Sequence, residues 1–228
     1  MKTIRKTQGF TLIELLVVVS IIALLAVGAV PMYGKIMLDV RAKSSVRNAY
    51  QIHVGLVNYA TGHDGNFPSQ TADGQDIQTA NDAYRQLFVQ GTIDDEKLFF
   101  VPNSKWHGTK TAPDGNIGNA QNNFQNALET GENHYAYQSG LNMESSYSRL
   151  PLVFDGGKEG APGTFSREPN EKGGVWKGKY AVVVRVGGGA KAVELDNTLM
   201  VKDKKDGKDM DIFSEEFGSV RNNLRNPM

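Results

Sequence analysis

The residue that asks most of its surroundings is Glu14. It sits in Gly9-Phe10-Thr11-Leu12-Ile13-Glu14-Leu15-Leu16, the opening of a nearly unbroken apolar run that continues to Val30. An ionised carboxylate inside a bilayer costs about 2.5 to 3.5 kcal/mol on insertion scales, so it needs a partner and marks function. No basic residue between Gly9 and Lys35 supplies one. If the chain is cut after Gly9, a new α-amine appears on Phe10, a cation at the same depth that also lacks a partner. Within one helix that amine and the carboxylate meet imperfectly, whereas between neighbouring helices offset along their axes they pair well. The two unmatched charges argue for assembly.

The other residues with chemical potential form weaker patterns. Asp203, Asp206, Asp209 and Asp211 cluster around Gly207, and hard carboxylates on a tight loop are what Ca²⁺ takes. Lys202, Lys204, Lys205 and Lys208 balance them and the spacing is not that of an EF-hand, so a solvated, charge-mixed loop is the preferred reading and calcium a weak candidate. Gly173-Gly174-Val175-Trp176-Lys177-Gly178-Lys179 has phosphate-loop spacing, but Tyr180 replaces the hydroxyl that would hold Mg²⁺ and a strand follows where a helix is required. Gly187-x-Gly189-x-x-Ala192 likewise runs on into a strand, with no helix N-terminus for a pyrophosphate. His53, His63, His107 and His134 show no metalloprotease spacing, and no G-x-S-x-G is present. No catalytic residue and no cofactor is expected.

The elements that position Glu14 come next. Residues 10–30, at about 1.5 Å rise each, cross a hydrocarbon core of roughly 30 Å. Lys2, Arg5 and Lys6, with no acid among the first nine residues, hold the N-terminus in the cytoplasm. A secretory signal peptide does not fit, because its apolar region is shorter and ends in a small-x-small site. Beyond Pro31, which kinks a helix, an apolar stripe at Val46, Ala49, Tyr50, His53, Val54, Val57 and Ala60 predicts a helical continuation to about Thr61, with Gly62 as its stop. Arg41, Lys43, Arg47, Asn48 and Asn58 occupy the opposite face. Residues 59–68 form the turn off that helix, with Asp64-Gly65 and Phe67-Pro68 as punctuation; His63 and Asp64 belong to that turn rather than to a metal pair.

The rest of the chain predicts a small head. A short helix capped by Asp82 has Tyr84, Leu87 and Phe88 on one face and ends at Gly91. Residues 92–100 add a turn or two. Residues 103–133 are polar and aperiodic, predicting a long surface loop with one helical turn over 124–128. Strands are expected at 134–137, 150–154, 180–186 and 190–195, the last two forming a hairpin around Gly187-Gly188-Gly189. Val182, Val184 and Val186 then face one side and Val183 and Arg185 the other. The fold class is α+β, a long N-terminal helix with a transmembrane first half, packed by its second half on a small antiparallel sheet. The segments are 1–9, 10–31, 32–62 and a head of 63–228.

The run Gly9-Phe10-Thr11-Leu12-Ile13-Glu14 resembles the class III signal of type IV pilins and type II secretion pseudopilins, closely over residues 1–30 and more loosely over the next thirty. The resemblance implies that a membrane-embedded aspartyl peptidase, the prepilin peptidase, removes the leader by cutting after Gly9 on the cytoplasmic side and methylates Phe10. Glu14 and Pro31 fall where the family commonly carries a glutamate and a proline, and Glu14 would align each incoming subunit on its neighbour. Residues 59–68 resemble the helix exit of pseudopilins. Many type IV pilins close a C-terminal loop with a disulfide, and the absence of cysteine here leans toward the pseudopilins. The major pseudopilins stabilise a C-terminal loop with Ca²⁺, which is why the aspartates around Gly207 stay in view.

The resemblance implies a structural subunit of a type II secretion pseudopilus or pilus-like filament. Its expected partners are further copies of itself, the prepilin peptidase, an inner-membrane platform and a cytoplasmic ATPase. The expected place is the bacterial inner membrane, crossed once, with the head periplasmic or extracellular. A surface type IV pilus subunit for adhesion, motility or DNA uptake is the alternative, and a singly anchored envelope enzyme or binding protein a second. Charge bears on partners as well. The chain has 25 basic and 25 acidic residues, and cleavage would remove Lys2, Arg5 and Lys6, leaving a mildly acidic protein with no nucleic-acid footprint.

Overall fold

The computed structural model describes residues 10–228, apart from the side chains of residues 28–31 and 145; Gly9 and the residues before it lie outside the described part. Helix α1, Leu12–Thr61, is 50 residues long, and Pro31 does not end it. Two units divide the chain, the first ending at Arg41 and the second beginning at Ala42. In the first, helix α1 meets no covering element among the described residues: Leu12, Ile13, Leu24 and Val27 are each more than two-thirds exposed.

In the second unit, α1 buries Ala42, Ser45, Ala49, Ile52, His53, Leu56 and Ala60, one stripe at helical spacing. This corrects the stripe expected from the sequence. Tyr50 and Val54 are 45% and 41% exposed, while Ile52 and Leu56 are fully buried. Two apolar registers compete on this helix, and the one containing Ala42, Ser45 and Ala49 wins because small side chains let the backbone close on the sheet. Gly55 lets the helix approach Ile93 on a different side, since a Cβ there would lie 2.8 Å from Ile93 Cδ1.

The sheet places strands β1 (Tyr135–Gln138), β2 (Pro151–Asp155), β3 (Tyr180–Arg185), β4 (Ala190–Glu194) and β7 (Leu224–Arg225) in the order β4-β3-β2-β1-β7, all antiparallel. A separate ribbon pairs β5 (Lys202–Lys205) with β6 (Lys208–Asp211). The expected hairpin between β3 and β4 forms, with Gly188 at φ 84° and Arg185 N–H donating to Gly189 O at 3.0 Å. Val182 and Val183 alternate across the sheet, yet both are buried, so both faces are covered. On one side Tyr135 OH lies 2.8 Å from Ser45 Oγ of α1, and His53 Nε2 donates to Val186 O at 2.9 Å. On the other, Phe154 packs on Phe213 with ring centroids 4.7 Å apart.

Three sequence expectations change. Helix α2, Ala80–Val89, starts at Thr79 rather than Asp82: Thr79 Oγ1 accepts from Asp82 N–H and Asp82 Oδ2 accepts from Thr79 N–H, a capping box that makes Asp82 the third helical residue. The turn over 124–128 is not helical, because Phe124 and Leu128 stand at φ 52° and 53°; a 3₁₀ turn forms earlier, at Ala120–Asn122. The stretch 103–133 is no mere surface loop. It buries Ser104, Trp106, His107, Ala127, Leu128, Glu132 and Asn133 beside the sheet.

The two registers of α1 separate cleanly in a stability measurement. Leu56→Ala removes a fully buried side chain and is expected to destabilise the protein by about 2 to 5 kcal/mol. Tyr50→Ala is expected to change it by about 0.5 kcal/mol or less. Denaturant unfolding of both full-length variants is the check, and equal losses would contradict the seam.

Candidate processing and assembly site

Glu14 is the third residue of α1, and its carboxylate is not alone. Thr11 N–H donates to Glu14 Oε2 at 2.9 Å, Thr11 Oγ1 donates to the same oxygen at 2.8 Å, and Glu14 N–H donates to Thr11 Oγ1 at 3.3 Å. This is a capping box at the mouth of the helix, satisfying two N–H groups that would otherwise point into an apolar medium. Glu14 has no cationic partner among the described residues, as the sequence reading expects, but one oxygen caps its own helix and Oε1 accepts nothing there. The Thr-x-x-Glu spacing carried this signal. Phe10, Ile13, Glu14, Val17 and Val18 share one helical face. The carboxylate thus opens onto an exposed apolar strip. Pro31 falls within the span of α1, and Gly9 lies outside the described residues.

Residues 4–30 match the family model of the prokaryotic N-terminal methylation motif. The chain carries a type IV pilin-like prepilin signal. Such a signal implies processing by a prepilin peptidase and pilin-type assembly, and it marks α1 as a membrane-anchoring helix. No curated protein and no solved structure matches the chain. Among the described residues no single helix is long and apolar enough to cross a membrane, but Leu12–Val27 and Met32–Thr61 taken together pass by length and composition.

The aspartates around Gly207 lie on a strand ribbon rather than a loop. Its register pairs Asp203 with Met210, Lys204 with Asp209 and Lys202 with Asp211, which sets Asp203 on one face and Asp209 and Asp211 on the other. Asp203 is bound to Arg185 at 2.8 Å and to Arg149 at 3.3 Å, and Asp206 sits in the turn at φ 52°. The four are not brought to a common point. A carboxylate trio does form elsewhere: one oxygen each from Glu96, Asp114 and Glu132 lie within 4.8 Å of one another. Hard oxygen donors at that spacing suit a divalent cation, but the oxygens already accept protein donors. Lys110 Nζ reaches Glu132 at 2.8 Å, and the N–H groups of Leu128 and Gly115 reach Glu96 at 2.7 and 3.1 Å. Burial raises the Glu96 pKa and the neighbouring Glu132 and Asp114 add to it, against the Leu128 and Gly115 hydrogen bonds. Wide separation in sequence hid this trio.

The core holds one more array that sequence spacing did not reveal. Ser104 Oγ is 2.7 Å from His134 Nδ1, and His134 Nε2 is 2.8 Å from Asp155 Oδ1, while Asp155 Oδ2 accepts from Trp176 Nε1 and from Val182 N–H, each at 2.6 Å. Ser104, His134 and Asp155 are all buried, and Ser104 Oγ also accepts from Trp106 N–H. The serine meets Nδ1 and the carboxylate Nε2, opposite to the hydrolase triad, and every polar atom is committed. The array ties the loop before β1 to β2 and β3.

His107 lies beside it and gives the head a pH dependence. Its Nδ1 donates to Gly131 O at 3.0 Å, and its Nε2 lies 3.1 Å from Val101 N and 3.0 Å from Val101 O. Burial pushes its pKa down to about 4, and His134 adds to the fall against the Gly131 and Val101 hydrogen bonds. The folded ring therefore stays neutral below pH 6.5 while the unfolded chain takes up a proton. Stability is full above about pH 6.5 and falls as the pH drops toward 4, by about 1.4 kcal/mol per unit at the steepest. His53, also lowered by burial, acts in the same direction. Denaturation midpoints at pH 7 and pH 5 should show the loss, and His107→Gln should flatten it; an unchanged slope in that variant would assign the effect elsewhere.

Proposed function

We propose that this chain is a structural subunit of a type II secretion pseudopilus or a related pilus-like filament, assembled through α1 after a prepilin peptidase cuts between Gly9 and Phe10. The observation that carries the proposal is the continuity of the prepilin signal with a helical surface that no described residue of the first unit covers. Burying apolar surface at about 25 cal/mol per Å² makes lipid or like helices the natural surroundings for it. The open oxygen of Glu14 then receives the Phe10 α-amine of a neighbour while the other keeps capping its own helix. A platform and ATPase in the inner membrane would drive assembly, with the N-terminus cytoplasmic and the head periplasmic or extracellular. The cysteine-free composition favours a pseudopilus, and the major pseudopilin within it, over a surface pilus. No catalysis is assigned, and the inaccessible, inverted arrangement of Ser104, His134 and Asp155 supports that assignment.

Processing and alignment are tested together. Mass spectrometry of the native protein should find a chain beginning at N-methylated Phe10, and Gly9→Val should leave the leader attached and block assembly. In correctly cleaved chains, Thr11→Val removes the two hydroxyl bonds of the capping box, keeps the Thr11 N–H bond to Glu14, and should lower filament yield modestly. Glu14→Leu should abolish filaments, since losing one partner of a buried ion pair costs about 3 to 5 kcal/mol. Equal yields from the two variants would reduce Glu14 to a cap.

A further inference from the structure

The charges of the second unit are sorted along the chain. On its part of α1 the outward face presents Lys43, Arg47, Tyr50, Val54 and Asn58 at helical spacing, all exposed. No charged residue follows Arg47 until Asp64, and from Asp64 to Glu96 the balance reverses to seven acids against Arg85. Arg85 is itself bound to Asp82 at 3.3 Å. Asp64 lines one concavity and Asp73 and Asp76 an adjoining one, the two sharing Thr71, Ala72 and Gln86. Among the described residues, Lys43, Arg47, Asp64, Asp73 and Asp76 make no ion pair.

Arg47 and Asp64 are too far apart to serve one another inside a single copy. From Arg47 to its end at Thr61, α1 is about 21 Å long, more than twice the roughly 8 Å over which exposed charges act at physiological salt. Asp64 stands just past the C-terminal end of α1, whose last turn has no basic residue, where the helix dipole disfavours a negative charge. A pattern that weakens the isolated copy and finds no partner within it suits another copy displaced along the same axis. We propose that a second copy of this chain seats its Lys43 and Arg47 in the acidic concavities lined by Asp64, Asp73 and Asp76, with its Tyr50 and Val54 closing the contact. This rests on the filament function proposed above and adds a polar contact between heads to the apolar one between helices.

The chain has no cysteine, so paired thiols report the contact directly. Cells expressing a mixture of Arg47→Cys and Asp73→Cys chains should yield a mixed disulfide dimer on mild oxidation of filaments, absent when either chain is expressed alone. Lys43→Glu/Arg47→Glu and Asp73→Lys/Asp76→Lys should each lower filament yield about tenfold, and all four changes in one chain should restore it to within about threefold. Unchanged yield in both reversals, or no mixed dimer from normal filaments, overturns the proposal and leaves the filament function standing. A loss from the helix-side reversal alone assigns the cations to an anionic lipid surface and also overturns it. Wild-type chains correctly cut at Gly9 that form no filament overturn the function and the contact together.

Discussion

A helix that is apolar around its whole circumference has no stable place in water, and this constraint organises the protein. Among the described residues the first unit offers Leu12, Ile13, Leu24 and Val27 no covering element, a surface suited to lipid or like helices. In those media each unsatisfied backbone group costs several kcal/mol. The Thr11–Glu14 capping box answers that demand at the end of the helix where the first N–H groups have no carbonyl to meet. A glutamate that would be a liability in the middle of such a helix is tolerable at its third position.

The same helix changes character at Ala42. From there it buries one stripe against the sheet, and Tyr84, Tyr135 and Tyr137 place their rings in the core while each hydroxyl reaches a backbone oxygen. Buried polar groups are affordable only when partnered, and the head meets that condition almost throughout. His53 Nδ1 and Gln138 Nε2 are buried and without partners among the described residues.

How legible this was depended on the type of signal. Strands β1 to β4 lay within about a residue of their expected bounds because short aromatic or valine-containing runs, and the triple-glycine turn between β3 and β4, read clearly. The stripe on α1 was misplaced because two apolar registers run side by side and only packing selects between them. Ribbon β5–β6 alternates lysine and aspartate, residues with little strand propensity, and β7 is too short to show any period. The capping box at Thr11 and Glu14 was readable from local spacing and was overshadowed by the charge of the carboxylate. The Ser104–His134–Asp155 array and the Glu96–Asp114–Glu132 trio join residues that only the tertiary fold brings together.

Strand β7 has a temporal consequence. It occupies the edge of β1, and the residues around it fasten three other elements: Ser139 N–H donates to Asn223 O, Ala80 N–H to Asn226 O and Gly157 N–H to Asn226 Oδ1. The sheet edge is therefore closed by residues that are synthesised well after β1 itself. Until they arrive, β1 presents an open row of backbone donors and acceptors, the kind of edge that invites wrong partners. The order of synthesis thus sets a vulnerable interval in which the long helix is already in place while the head remains unsealed. A helper that shields exposed strand edges would act in that interval.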